Sequence, residues 1–194
     1  MERAPLTSTA VITAAVDLAD EAGFDAVTLS AVARRLGVRA PSLYSHVRDR
    51  DTLLDGVAAR ALADLSDRVA VAIAGRAGRD ALAGFAGAHR EFAREAPGRW
   101  QSLQRRAGDT VVRSEAALRI VTLNKAVLRG YALPEDQHVH AVRLLGATIN
   151  GFLALERIGG FDHSSPSPEA SWDKTVEALD ALLHAWPTDH GDRS

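Results

Sequence analysis

Apolar residues recur along this chain at three- and four-residue intervals from end to end, and no run combines sustained apolar/polar alternation with the β-branched enrichment a sheet needs. An all-α fold follows. The first helix is predicted from Ser8 to Ala22, with Val11, Ala15, Leu18 and Ala22 facing inward, Thr7, Ser8 or Thr9 as N-cap and Gly23 as terminator. Phe24 and Val27 should tuck into the core beneath it. Thr28 caps a second helix, Leu29 to Leu36, in which Leu29, Val32, Ala33 and Leu36 share a face while Ser30, Arg34 and Arg35 turn to solvent; Gly37 closes it. Only Val38, Arg39 and Ala40 then precede Pro41, whose fixed φ and missing N–H suit the first turn of a new helix. That third helix is barely two turns long. Leu43 and Val47 point inward, which leaves Ser42, Tyr44, Ser45 and His46 on the other side or the flanks.

Asp49 fits as N-cap of a long fourth helix, about 50–74, with Arg50 in its first turn and Leu54, Val57, Ala61 and Leu65 on one stripe. After a glycine break at 75–78 come amphipathic segments at about 79–95, 98–107 and 111–130, then long helices at about 135–158 and 169–185 separated by a turn-rich loop. The helix at 135–158 carries Val139, Val142, Leu145, Ile149, Phe152 and Leu153, and the last carries Trp172, Val176, Leu179 and Leu183. No internal repeat is present.

Composition removes several classes of function. The 194 residues contain no cysteine, which excludes disulfides, thiolate metal sites and thiol nucleophiles and makes the cytoplasm the unforced location. Asp17, Asp20 and Glu21 interrupt the modest apolar run near the N-terminus, so neither a signal peptide nor a membrane span is expected there. Enzyme signatures are missing too: there is no His-Glu-x-x-His, no Gly-x-Ser-x-Gly and no phosphate-binding glycine loop, and His138 and His140 stand two apart on a helix, pointing different ways. No cofactor, metal site or catalytic residue is expected.

The net charge of −2 is unpromising for a nucleic-acid binder until it is divided along the chain. Residues 1–27 set Arg3 against Glu2, Asp17, Asp20, Glu21 and Asp25, whereas residues 28–50 set Arg34, Arg35, Arg39, Arg48 and Arg50 against Asp49 alone. A basic island therefore coincides with the two short helices. Helix, glycine turn, short helix is the helix-turn-helix arrangement, in which the second helix enters the major groove. In that reading Ser42, Tyr44, Ser45 and His46 hydrogen-bond phosphates or base edges and Arg39 reaches a guanine or a phosphate. Thr28 and Arg50 lie at helix N-termini, where backbone N–H groups already favour a phosphate.

Residues 8–65, and above all TLSAVARRLGVRAPSLYSHVRDRDTLLDGV, closely resemble the DNA-binding domain of the tetracycline-repressor (TetR) family of transcriptional regulators. Leu36-Gly37-Val38, Leu43-Tyr44-Ser45-His46-Val47 and Arg48-Asp49-Arg50-Asp51-Thr52-Leu53-Leu54 carry the likeness. The resemblance implies that Thr28, Ser42, Tyr44, His46 and Arg50 hold the phosphate backbone, while Ser30, Arg39, Ala40, Pro41 and Ser45 occupy base-reading positions. It further implies a DNA-binding domain at 1–50 and, at 51–194, a helical domain that binds a small molecule and dimerises. That second part is similar to the C-terminal type named for a Trp-His-Gly signature, through Phe92-Ala93-Arg94-Glu95-Ala96-Pro97 and Gly151-Phe152-Leu153-Ala154-Leu155-Glu156. Ile149-Asn150-Gly151 stands where the triplet would be, so no role of its tryptophan or histidine carries over.

One short reading helix makes too few contacts for selective binding, whereas two about one DNA turn apart read a palindrome. The interface is expected in a four-helix bundle of 135–158 and 169–185 with their symmetry mates, through the two apolar stripes just named. An effector cavity is expected among the helices of residues 79–158, lined by Phe85, His89, Phe92, Trp100, Leu103, Asn150 and Phe152, with the Asn150 amide in need of a partner that an effector could supply. The expectation is a repressor that its effector releases from a palindromic operator. The competing readings are a ligand-independent helix-turn-helix protein and, in a different class, an all-α enzyme.

Overall fold

The computed structural model describes residues 5–187, and among these there are α-helices and 3₁₀ turns but no strand. In chain order the helices are α1 (Ser8–Ala22), α2 (Leu29–Leu36), α3 (Arg50–Ile73), α4 (Gly78–Glu95), α5 (Pro97–Ser102), α6 (Asp109–Val112), α7 (Glu115–Leu128), α8 (His138–Arg157) and α9 (Pro168–His184). They form two compact units, one of residues up to 67 with 91–120, the other of 68–90 with residues from 121 onward. The packing boundary thus differs from the expected division at residue 50, because the first part of α3 and the 91–120 segment pack with the N-terminal helices.

The first unit is built on a core of Val11, Ala14, Ala15, Ala19, Val27, Val32, Ala33, Leu43, Val47, Leu53, Leu54 and Val57. The inner face of α1 runs through Ala14 and Ala19, while Ala22, expected inside, is exposed. α5 lies against α1 so closely that a Cβ on Gly98 would sit 1.9 Å from the Ala19 carbonyl oxygen. Arg99 locks the contact: its backbone N–H and Nε donate to Asp20 at 3.0 and 2.6 Å, and its Nη1 meets Asp64 of α3 at 2.6 Å. Arg105 adds a second tie to α3 through Asp55 at 2.5 Å.

Two expected helices are shorter or broken. The 98–107 segment ends as α5 at Ser102. The 111–130 segment divides at Ser114, whose hydroxyl donates to the Val111 carbonyl at 2.7 Å and accepts from the Ala117 N–H at 3.2 Å, ending α6 and capping α7. The first residues of the 135–158 helix form a 3₁₀ turn, Glu135–Gln137, before α8 begins.

In the second unit Ala141, Leu145, Ile149 and Leu153 of α8 and Trp172, Val176, Leu179 and Leu183 of α9 are buried within the single chain. This corrects the expected interface stripes: most of those side chains are spent on the protomer's own core. Val139, placed on the same stripe, is instead exposed, and Val142 and Phe152 are half-buried. Arg90, only 8 % exposed, is neutralised by Glu156 and sits 3.6 Å from Glu169, with its guanidinium 5.0 Å from the Trp172 ring centre. A buried cation needs such partners. The Tyr131 hydroxyl donates to Asp180 at 2.7 Å, and burial followed by this bond pushes its pKa well above the usual phenol range. No helix among the described residues is long and apolar enough to cross a membrane.

Replacing Gly98 by Ala should force α5 off α1, because the obstacle is backbone rather than a flexible side chain. A loss of about 1–3 kcal/mol in chemical unfolding is expected; unchanged stability would show that the two helices separate freely.

Candidate nucleic-acid interface

Local capping chemistry shapes the basic island. Thr28, in extended backbone conformation, accepts from the Ala31 N–H through Oγ1 at 3.1 Å and starts α2. Gly37 ends it in the left-handed region at φ 63°, with the Val38 N–H reaching back to the Ala33 carbonyl at 2.9 Å, a Schellman closure that a side chain at residue 37 would strain. The chain then turns at Arg39 into the short element that sequence spacing marks as a helix.

That element is tighter than expected. Ala40–Leu43 is a 3₁₀ helix continued by hydrogen-bonded turns through His46, not an α-helix of two turns. The Ser42 and Tyr44 amides bond the Arg39 and Pro41 carbonyls at 2.9 and 3.3 Å, and His46 and Val47 both bond Leu43 at 2.8 and 2.9 Å. Pro41 contributes no N–H, and the Ser45 hydroxyl donates to the Ser42 carbonyl at 3.1 Å, so few residues remain to propagate α-type bonds. Leu43 and Val47, both within the core, hold the turn in place.

The outward face is as the spacing predicts. Ser30, Arg39, Pro41, Ser42, Ser45 and Arg50 are exposed, and Thr28, Ala40 and His46 are half-buried. Tyr44 is 58 % exposed, too much for a core role. The Arg50 Nε donates to the Val27 carbonyl at 3.3 Å, which draws its guanidinium to the residue next to Thr28 and so gathers two phosphate-binding candidates. Ser8 is a positioning residue that spacing does not reveal: its hydroxyl donates to the His46 carbonyl, 38 positions away, at 3.2 Å.

Ion pairs redistribute the island's charge. Arg35 makes two bonds to Glu21, at 2.6 and 2.7 Å, and lies 3.7 Å from Asp17; Arg48 pairs with Asp49 at 2.9 Å. Among the described residues Arg34, Arg39 and Arg50 have no carboxylate within ion-pair distance, so the uncompensated charge lies on the turn and its two flanks. Asp49 caps α3, accepting from the Thr52 N–H at 2.7 Å and its hydroxyl at 2.8 Å. These bonds, then the Arg48 guanidinium, hold its carboxyl at about 2.

The expected effector residues fall into both units. Phe85 and His89 stack with ring centres 4.3 Å apart, and the His89 Nδ1 lies 2.8 Å from the Phe85 carbonyl; burial lowers the pKa of this imidazole. Phe152 contacts Phe161 and Trp172, at 4.9 and 5.1 Å between ring centres. The Asn150 amide, expected to need a partner, already donates to the Gly146 carbonyl at 2.9 Å. Phe92, fully buried, lies under the Arg99 guanidinium, and Leu103 ends α5, half-buried. Trp100 is the different case: its indole N–H is buried and has no acceptor among the described residues.

Residues 11–57 match the family described as bacterial regulatory proteins, tetR family, and residues 82–179 match the tetracyclin repressor-like C-terminal domain. An uncharacterized HTH-type transcriptional regulator of Mycobacterium tuberculosis is 32% identical over 161 residues, 82% of this chain and 74% of that protein. The chain belongs to the TetR family of transcriptional regulators. Likeness is denser across the DNA-binding segment of this regulator: the class A tetracycline repressor of Escherichia coli is 48% identical over 54 residues, covering 28% of this chain and 25% of that one. The uncharacterized regulator YobS of Bacillus subtilis is 32% identical, covering 79% of this chain and 80% of its own length. Among solved structures, apo ActR from Streptomyces coelicolor shares the fold with a TM-score of 0.74 at 20% identity, over 94% of this chain and 98% of that one. A TetR variant of Acinetobacter baumannii in complex with minocycline does so with a TM-score of 0.71 at 20% identity, over 95% and 99%.

The depressed Asp49 pKa has a defined consequence. Its capping contribution is complete above the ordinary carboxylate value of 3.8 and is lost as pH falls through about 2. The difference in Tm between wild type and Asp49→Asn should stay constant above pH 4 and narrow only between pH 4 and 2. Narrowing already at pH 5 would contradict the assigned cap.

Proposed function

We propose that this regulator is a cytoplasmic repressor that binds a palindromic operator as a homodimer and leaves it when a small-molecule effector binds. The observation that carries the reading is the exposed polar face of residues 39–46 on a turn whose apolar side is fixed in the core. Residues 1–50 serve as the DNA-binding part and 51–194 as the part that binds effector and dimerises. Thr28, Ser42, Tyr44, His46 and Arg50 hold phosphates. Ser30, Arg39, Ala40, Pro41 and Ser45 meet the bases: Arg39 and the serines by hydrogen bonds, Ala40 and Pro41 by apolar contact, for instance with a thymine methyl.

The dimer forms through α8 and α9, by faces other than the buried stripes. Leu144, Ala147, Gly151 and Leu155, with Ile158 just past the end, recur on a side of α8 whose members are exposed or half-buried, and Ala178, Ala181 and Leu182 are exposed on α9, with Ala185 just past its end. Small residues there let helices of two copies approach closely, as a four-helix bundle requires. Phe85, His89, Phe92, Trp100, Leu103, Asn150 and Phe152 remain the proposed effector-contacting residues. The unpartnered Trp100 N–H favours an effector that offers an acceptor there. Effector binding favours an arrangement in which α3 shifts and the two reading turns no longer match the groove spacing.

Gel shift against the DNA flanking the regulator's own gene is the test. A discrete complex with a short palindrome is expected, weakened at every sequence by Arg50→Ala, at about 1.5–3 kcal/mol per half-site, with the salt slope flattened by about one for each half-site. Tyr44→Phe should weaken it less, and Arg39→Ala should relax base preference. Binding indifferent to all three substitutions would overturn the reading; a complex that no compound of a broad inducer screen releases would remove the effector from it.

A further inference from the structure

The second unit carries an open groove between α7 and α8. Val121, Asn124 and Lys125 of α7 and His138, Val139, Val142 and Arg143 of α8 wall this groove of about 280 Å³. Three of its lining side chains are valines, and two of them, Val121 and Val139, are 52 % and 56 % exposed. Apolar side chains grouped in this way, rather than scattered singly, mark a binding surface.

The cations of the groove are the second observation. Lys125 follows Val121 by four residues and Arg143 follows Val139 by four, so each apolar wall carries a base one turn along its own helix. Neither has an ion-pair partner among the described residues, whereas Lys174 and Arg90 of the same unit are bound to Glu177 and Glu156. The groove therefore pairs exposed valines with two uncompensated positive charges. On α8, Val139 and Arg143 stand on the same i, i+4 line as Ala147, Gly151 and Leu155 but nearer the helix N-terminus, so the groove borders the proposed dimer face.

We propose that this groove binds a small amphipathic anion: an apolar chain or single ring ending in one carboxylate or phosphate. Its volume of about 280 Å³ sits at the lower edge of the roughly 300–1,000 Å³ of small-molecule sites, which suits a ligand of this kind. The apolar body covers Val121, Val139 and Val142, and the anionic head meets Lys125 or Arg143, the guanidinium offering a two-pronged contact to a carboxylate or phosphate. The site is separate from the proposed effector residues, none of which lines it.

Calorimetric titration of the full chain with octanoate, octyl phosphate and octanol tests this. At least one of the two anions should bind saturably, and tenfold or more tighter than octanol; which one binds better identifies the head group. The double variant Lys125→Ala/Arg143→Ala, which alters only exposed side chains, should weaken anion binding at least tenfold, and Val139→Asp should abolish it, with circular dichroism and gel filtration unchanged. Equal binding of octanol, or undiminished binding in the double variant, would overturn the proposal. So would a Val139→Asp variant that loses its oligomeric state, since a second copy of the chain would then be the occupant. The experiment uses no DNA, so its outcome is independent of the operator reading.

Discussion

Burial of Leu43 and Val47 is the constraint on which the candidate DNA-binding surface depends. Each contributes about 1.5–3 kcal/mol by leaving water, and together they orient a segment too short to be a stable helix by itself. With both side chains committed to the core, the intervening and preceding residues have nowhere to go but outward. Tyr44 is exposed because Leu43 is not. The turn before them is set by Gly37 in the left-handed region and the turn after them by Asp49, so the segment is clamped at both ends by backbone chemistry as well as from beneath.

Ion pairing then selects which arginines of the basic island keep uncompensated charge. Arg35 is spent on Glu21 and Asp17, and Arg48 on Asp49. Arg34, Arg39 and Arg50 are left, with Arg50 steered toward Thr28 by the Val27 carbonyl. A modestly acidic chain can in this way present a locally positive face, because the acidic residues sit where they pin helices together, as Asp20 and Asp64 do with Arg99.

The parts legible in the sequence were those governed by neighbours within four residues. Thr28, Gly37 and Asp49 terminate or start helices through bonds to residues three to five positions away, and the bounds of α1 and α2 agree with the capping pattern. The 3₁₀ character of residues 40–43 was not legible, because a hydrophobic repeat over four residues does not distinguish i→i+3 from i→i+4 bonding. Ser114 was missed as a cap because the apolar pattern runs on through it. The pairing of Arg35 with Glu21 and the contact of Gly98 with Ala19 are tertiary, and no local spacing encodes them. The same limit explains why the stripes of α8 and α9 expected at an interface are instead buried in the protomer: both helices are apolar on more than one side, and periodicity alone does not tell which side the protomer uses for its own core. Among the DNA-facing candidates no side chain proved fully buried, whereas the Asn150 argument lapsed once Gly146 satisfied the amide.

The most direct measurement of the central claim is the separation of the two reading turns in a DNA-bound dimer. The native chain has no cysteine, so Arg48→Cys, on an exposed side chain beside the turn, gives a single spin-labelling position. Double electron–electron resonance on the complex with a short palindromic duplex should return one narrow distance of about 35 Å, the span of one helical turn of DNA. No intermolecular distance, or a broad population far from that span, would contradict a surface built to place two core-anchored turns in adjacent major grooves.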